Sequence, residues 1–489
     1  MHARTLTLFT CAAVVTKALI AQGPTLIKDI NPTGNSNVAF LTCYGDGVYF
    51  SAVDDVHGVE LWRSDGTTAG TVLVKDINPG AGHSSPMTFM EFNGMLHFTA
   101  TDGVNGLQLW RTDGTASGTQ VVLGLADVPG LLEWGEFVVL GDRIFFRGQD
   151  DAHGRELWST DGTAAGTQFF LDINPGIANS GVDDMIAYNG QLYFEASDGT
   201  NGAEPWTSDG TVAGTRMIAE TIAGPASSGT TPSNFFGAGG LVFFRTGTSA
   251  TGDELWATDG TEAGTGLVRD LYPGPNSSLP SNFLEHNGEM HLRAYPTSGS
   301  TNALIFRSDG SQAGTTSYTT FGYTNPDEMG SHAGELYFTA VGPSTYKQLW
   351  RTDGTAEGTV EILHPGSDVL SPFANATRLL SCNGTLYFRA NYMQVTGQEL
   401  YTLDLSTGME EAAEPDALIH PNPASGYLNM TAFPLNTTLR LFGTDGRLAL
   451  TASRQAHVDI SALPAGVYAA RVDDTAGSTL THQLVVIER

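Results

Sequence analysis

The chain has 489 residues, of which 40% are hydrophobic and 15% charged, and its 52 acidic and 23 basic side chains give a formal net charge of −29. So acidic a surface repels nucleic acid and anionic lipid, which excludes both as partners. Three cysteines in such a length exclude a disulfide scaffold, and 59 glycines without a collagen period call for many tight turns.

The N-terminus reads as an export signal over residues 1–21. Arg4 supplies the positive charge, Leu6 to Val15 is apolar, and cleavage fits after Ala21, before Gln22. The apolar run is too short to span a membrane, and no other segment approaches that length.

From there the chain repeats. Glu60 to Thr71 reads ELWRSDGTTAGT, and its Asp recurs as Asp65, Asp113, Asp161, Asp209, Asp259, Asp309 and Asp353. The spacings are 48, 48, 48, 50, 50 and 44 residues, with a worn eighth copy at Glu399 to Gly408. A period of roughly 40–50 residues marks propeller blades. The second unit shows four strand-like stretches: Pro86 to Phe92, Met95 to Thr101, Leu107 to Thr112 and Thr119 to Leu125. Short turns join them, Asn93-Gly94 between the first two, so the strands pair antiparallel.

The second-strand core recurs eight times, from Val48–Phe50 to Leu386–Phe388. A fourth-strand pattern precedes the first unit, at Thr25 to Ile30, and is missing after Gly408. The N-terminal strand is therefore expected to complete the eighth blade and close the ring. A phasing that starts each blade at Thr25 needs no such closure. The long links after the fourth strand, such as Asn78 to Ser85, favour closure.

The motif aromatics are Trp62, Trp110, Trp158, Trp206, Trp256 and Trp350, replaced by Phe306 and Tyr401 in two copies. One aromatic at the same place in every blade packs blade on blade, a stronger reading than a sugar-stacking ring. Trp134 stands outside the motif and is the better candidate for an exposed contact. The repeated Asp offers one carboxylate per turn, whereas calcium takes six to eight oxygens. Fixing the turn through backbone N–H groups is the favoured role, and no cofactor or metal is assigned. His57 and His153 share one turn position beside Asp54, Asp55, Asp150 and Asp151, and read as solvated turns rather than ligands. No H-E-x-x-H, G-x-S-x-G or phosphate loop appears, and no residue is assigned to catalysis. Cys43 and Cys382 lie in the first and last repeats. They either pair, if ring closure brings their Cα atoms within about 7 Å, or stay as small buried apolar residues.

The repeat resembles the ELWxxDGT family of bacterial secreted proteins. Departures are Pro205, Phe306, Ser311 and the worn last copy. The resemblance implies an exported β-propeller and names no ligand. Ser406 to Ala417 then reads as an acidic linker. Beyond it the chain resembles the type IX secretion C-terminal sorting domain of Bacteroidota. Pro421, Asn422 and Pro423, the run Leu441 to Arg447, and Leu463 to Val467 with Gly466 and Tyr468 carry that likeness. Its strand patterns at Leu439–Leu441, Leu448–Leu450, Val467–Val472 and Gln483–Val486 suit a small sandwich.

The expected fold is all-β: an eight-bladed propeller over residues 22–405, a linker over 406–417 and an immunoglobulin-like sandwich over 418–489. The expected function is non-enzymatic binding or adhesion outside the cell or on its surface, reached through the periplasm. The partners are the type IX machinery and a glycan or protein ligand. The alternatives are a polysaccharide lyase or hydrolase and a structural matrix component. An enzyme would need non-repeated polar residues on one face, for which Asp127 to Glu136, Ala223 to Asn234 and Pro296 to Asn302 are the stretches to inspect.

Overall fold

The structure, a computed structural model, describes residues 24–221, 232–296, 302–318, 323–342, 347–355, 358–362, 379–391 and 397–404, and beyond them 427–429, 438–442, 447–453, 457–473 and 479–487. It falls into two compact units that divide after Ser406. The signal, the linker and Pro421 to Pro423 lie outside the described residues.

Among the described residues the first unit contains eight four-stranded antiparallel sheets. Sheet one runs Ala39–Tyr44, Gly47–Asp54, Gly58–Ser64 and Val72–Lys75, each strand beside the next. Sheets two to seven repeat this order from Met87, Glu133, Asp183, Ser233, Ser281 and Thr324. Sheet eight takes Leu380–Cys382, Thr385–Ala390 and Glu399–Asp404, and its fourth strand is Thr25–Lys28 from the start of the chain. The first strand of each sheet packs on the first strand of the next, and that of sheet eight on that of sheet one. The sheets therefore form a closed, propeller-like ring with the first strands innermost.

Local chemistry explains the sheets. The turn between first and second strands needs two left-handed residues, and Asn93-Gly94 supplies them with φ of 49° and 70°. Second strands are buried on both faces, as in Leu96 to Ala100. At each interface the motif aromatic, Trp in six sheets and Phe306 or Tyr401 in the others, packs with the second-strand core of its own sheet and residues of the preceding one, as Trp110 does with Leu96, Phe98, Tyr49 and Leu61. Lys28 and Lys75 reach from the outermost strand to the Thr71 and Thr119 carbonyls of the following sheet, at 2.7 Å each.

The ELW glutamate is the most heavily used polar group. Glu60, Glu156, Glu204, Glu254 and Glu399 are buried. Each accepts backbone N–H groups from the segment that crosses to the next sheet. Glu254 takes Leu271 N at 2.8 Å and Ser278 N at 3.0 Å, with the Ser278 hydroxyl donating at 2.6 Å. Glu60 repeats this with Ile77, Asn78 and Ser84, and Glu399 with Ile30 and Ser36. Gln108, Leu304 and Gln348 stand at this position in sheets two, six and seven. Burial pushes the carboxyls of Glu156, Glu254 and Glu399 up to about 7.

A second seam runs along the far ends of the innermost strands. The last residue before the turn reaches the neighbouring sheet: Tyr44 donates to the Gly94 carbonyl at 2.8 Å, and the Tyr188 hydroxyl accepts the Gly240 N–H at 3.0 Å. His286 Nδ1 meets Ser331 Oγ at 2.7 Å and His332 Nδ1 meets Ser381 Oγ at 2.8 Å. At the closing interface the same position holds Cys382, disulfide-bonded to Cys43 with Cα atoms 5.5 Å apart.

The second unit has a four-stranded sheet in the order Leu448–Ser453, Thr438–Phe442, Gly466–Asp473, Thr479–Ile487, and a two-stranded one of Tyr427–Asn429 with His457–Asp459. Leu428, Leu439, Leu441, Val458, Ile460 and Tyr468 form its core.

Candidate functional site

Each described innermost strand of sheets one to seven carries a bulge. Pairing slips by one residue between Ala39 and Thr42, and again at Met87/Met90, Gly135/Val138, Asp183/Ile186, Ser233/Phe236, Ser281/Leu284 and Thr324/Asp327. The inserted residues are Phe40, Thr88, Glu136, Asp184, Asn234, Asn282 and Asn325, all left-handed with φ between 48° and 57°. The backbone thus repeats while the chemistry does not: one aromatic, one hydroxyl, two carboxyls and three amides stand at equivalent positions around the ring. Asn suits this conformation; a β-branched residue does not, and strain of this kind gathers at functional sites. Thr88→Asn is expected to stabilise the protein by about 1 kcal/mol, seen as a higher Tm, because it relieves the left-handed backbone.

On the inner side of sheets five to seven lies a cavity of about 300 Å³, lined by Asn234, Phe235, Phe236, Asn282, Phe283, Leu284, Glu328, Met329 and Leu379. Its polar groups are held from behind. Asn282 Nδ2 donates to Asp327 Oδ1, and Lys347 Nζ donates to Asp327 Oδ2, both at 2.5 Å. Burial raises the Asp327 carboxyl, but Lys347, with Arg293 and Asn282 adding, more than offsets this and holds it below the usual range. Asp184 Oδ2 accepts the Asn234 N–H at 3.0 Å. Phe235 stacks on Phe244 with centroids 5.2 Å apart.

Across sheets three and four the same level is acidic. Glu136 lies beside Asp183 and Asp184, and Arg147 approaches Asp183 at 3.4 Å. Burial and then Asp183 push the Glu136 carboxyl above the usual range, with Arg147 opposing. Among the described residues no three His, Cys, Asp or Glu side chains converge to hold a metal ion.

Antiparallel topology puts the crossings between sheets and the turns between second and third strands at one end of the ring. The bulges lie near the start of the first strands, toward that end. Phe40, Val56, Val104, Leu132, Ile177 and Leu279 are exposed there. The DGT turns occupy the opposite end.

Those turns consume their own polar groups. Asp65 Oδ1 accepts Thr67 N at 2.9 Å and Thr67 Oγ1 at 2.7 Å, and Thr67 Oγ1 accepts Gly70 N at 2.9 Å. Gly66 has φ of 89°, and a Cβ on Gly70 would strike the Asp65 carboxylate. Asp113, Asp161, Asp209, Asp259 and Asp353 make the same bonds, and Asp309 does so with Ser311. The donated hydrogen bonds hold these carboxyls below the usual range. Trp62, Trp110, Trp158, Trp206, Trp256 and Trp350 stand in the interfaces between sheets, and the Trp206 indole donates to the Ala196 carbonyl at 2.9 Å. Trp134 corrects the sequence reading: it is 5% exposed, donates to the Leu107 carbonyl at 3.1 Å and packs on Phe137 and Phe146. Phe92, Leu109 and Leu123 of sheet two pack over that face of its strand and enclose the indole. His57 and His153 sit in separate turns, each ring nitrogen 2.8 Å from the Asp three residues earlier.

The glutamates and the bulge residues escaped the sequence reading. A charged residue recurring between apolar ones in a buried strand is the signal for the first. Ser233-Asn234-Phe235 and Ser281-Asn282-Phe283 hold a faint signal for the second. Of the three irregular stretches, Asp127 to Glu136 ends on the axial carboxyl. Ala223 to Asn234 ends on the cavity amide, though its residues up to 231 lie outside the described set. Residues 297–301 of the third also lie outside it.

Residues 418–487 match the family described as the secretion system C-terminal sorting domain. The protein is exported. Its destination is the surroundings or the outer surface of the cell. No helix among the described residues is long and apolar enough to cross a membrane. No curated protein matches the chain. Among solved structures, a puromycin hydrolase is 15% identical with a TM-score of 0.45, over 75% of this chain and 61% of that one. Prolyl oligopeptidase B from Galerina marginata is 11% identical with a TM-score of 0.46, over 74% and 56%. An uncharacterized Listeria monocytogenes EGD-e protein is 9% identical with a TM-score of 0.42, over 71% and 99%. The chain thus spans about three fifths of the hydrolase it matches. Within the sorting domain, Gly466 opens a strand of the four-stranded sheet, and buried Tyr468 donates to the Pro464 carbonyl at 3.0 Å.

Proposed function

We propose that this is a non-enzymatic binding protein, an eight-bladed β-propeller of ELWxxDGT repeats that meets its ligand outside the cell or on its surface. The C-terminal unit, in this reading an immunoglobulin-like sandwich, is the address read by the type IX machinery of a Bacteroidota bacterium, and residues 1–21 are the signal for the first membrane. The repeated Trp and Asp residues are scaffold, and binding falls to the end of the ring that carries the crossings.

One observation carries the reading: a symmetric ring presents unlike side chains at seven equivalent inner positions, beside a preformed cavity. Scaffold needs no such variety, whereas recognition does. The test is retention of the purified protein on surface polysaccharide and outer-surface fractions, run beside turnover assays on the same material. Saturable retention without turnover is expected. Turnover, or no retention on any fraction, overturns the reading.

The Glu136–Asp183 pair favours a second reading, a hydrolase or lyase, because a carboxyl raised by burial and by a second carboxyl beside it suits general-acid work. In that case Glu136→Gln abolishes turnover of a polysaccharide that the wild type degrades.

A further inference from the structure

The cavity on sheets five to seven has a chemistry of its own, and we infer that it is a subsite for one neutral sugar unit of a glycan. The inference rests on the binding reading and specifies its ligand. Three features of the cavity lead to it.

The first is the polar lining. Asn234 and Asn282 occupy the same register position on adjacent innermost strands, and the structure includes Glu328 in the same wall. A primary amide both donates and accepts, as a pair of sugar hydroxyls requires. Asn282 is also set in advance. The chain from Lys347 through Asp327 uses one of its amide protons and leaves its oxygen and second proton for a ligand. Preorganisation of this sort lowers the entropic cost of binding.

The second is the apolar lining. Phe236, Phe283 and Leu284 are half-buried, with Met329 and Leu379 buried beneath. Aromatic and aliphatic walls suit the C–H face of a pyranose ring. About 300 Å³ is at the small end of ligand pockets, room for one unit rather than a long chain segment.

The third is what the site turns away. Its described lining holds Glu328 and no Lys or Arg, with Arg389 near enough to Glu328 to offset part of its charge, and the whole chain carries a net charge of −29, which disfavours uronates, sulfates and phosphates. An extended peptide would add to the inner edge of a strand. The bulges at Ser233/Phe236 and Ser281/Leu284 break that edge, which blocks strand addition.

The test is saturation-transfer NMR and calorimetry on the full chain with glucose, galactose, mannose, N-acetylglucosamine, their disaccharides, and glucuronate as the anionic control. At least one neutral sugar is expected to bind, with an affinity on the order of 1 mM for a single unit. Asn282→Ala is expected to weaken it about tenfold and Asp327→Asn less, with glucuronate silent. Asn234→Ser, at an exposed position, is the companion variant should Asn282→Ala fold poorly. The proposal is overturned if no sugar in the panel binds, if glucuronate binds as well as the neutral sugars, or if Asn282→Ala and Asn234→Ser both bind as the wild type does. Failure here with retention on surface fractions intact leaves a binding protein of another ligand class. Failure of both removes the function proposed above.

Discussion

Removing the Cys43–Cys382 disulfide, by Cys43→Ser with Cys382→Ser, is expected to cost about 2–5 kcal/mol and several degrees of Tm. Two covalent neighbours 339 residues apart close almost the whole ring in one step. The chain-entropy effect grows with the loop enclosed, which puts this bridge at the upper end of the scale. Antiparallel pairing of Thr25–Lys28 with Glu399–Asp404 within sheet eight also ties the start of the chain to its last repeat, so the ring persists without the bridge, but the seam between sheets eight and one opens more readily. Thermal melts of the wild type and double variant, each with and without reductant, check this. Reductant is expected to lower the wild-type Tm to that of the variant and to leave the variant unchanged.

The second large effect belongs to the buried glutamates. Glu254→Ala strands the backbone N–H groups of Leu271, Tyr272 and Ser278 and is expected to cost about 3–5 kcal/mol. Glu254→Gln costs less, because one carboxamide oxygen still accepts, and Gln108 and Gln348 occupy the same place elsewhere. The carboxyls also set a pH dependence. In the unfolded chain they titrate near 4.5, and in the folded protein Glu156, Glu254 and Glu399 are pushed up to about 7, chiefly by burial, with Asp172, Asp270 and Asp29 adding to it. The folded state therefore binds more protons between these values. Its advantage is fully present below about pH 4.5 and is lost as pH rises through about 7. Each group contributes on the order of 1–3 kcal/mol. Tm at pH 5 is expected to exceed Tm at pH 8. A variant with Gln at 156, 254 and 399 is expected to be less stable at pH 5 and much flatter across the window. The turn aspartates act in the opposite sense, but only at lower pH, because hydrogen bonds hold their carboxyls down.

Sequence periodicity made the strands and hairpins legible because each repeat writes its own pattern. Met95–Thr101 and Leu107–Thr112 were read with the bounds the structure gives, and Asn93-Gly94 with the turn it makes. The pairing of Cys43 with Cys382 stayed open, since composition fixes no Cα separation. The bulges were invisible for a different reason. A bulge is an extra residue within one strand, and Thr88 or Glu136 at a left-handed position has no local propensity to announce it. Absence from the motif does not make Trp134 exposed. A strand flanked by neighbours on both sides buries its aromatics whether or not they repeat.

In the function proposed above, repeated residues hold the ring and the unlike inner residues bind. The direct measurement is retention on the wild-type ligand fraction by Asn234→Ala/Asn282→Ala, set against Asp113→Ala in a DGT turn, with Tm measured for both. The expected result is that the double variant loses only a modest amount of Tm, from Ala at two left-handed positions, and below its melting point loses retention at least tenfold, while the turn variant loses Tm and, below its melting point, retains as the wild type does. Loss of retention by the turn variant with the double variant unaffected would contradict it.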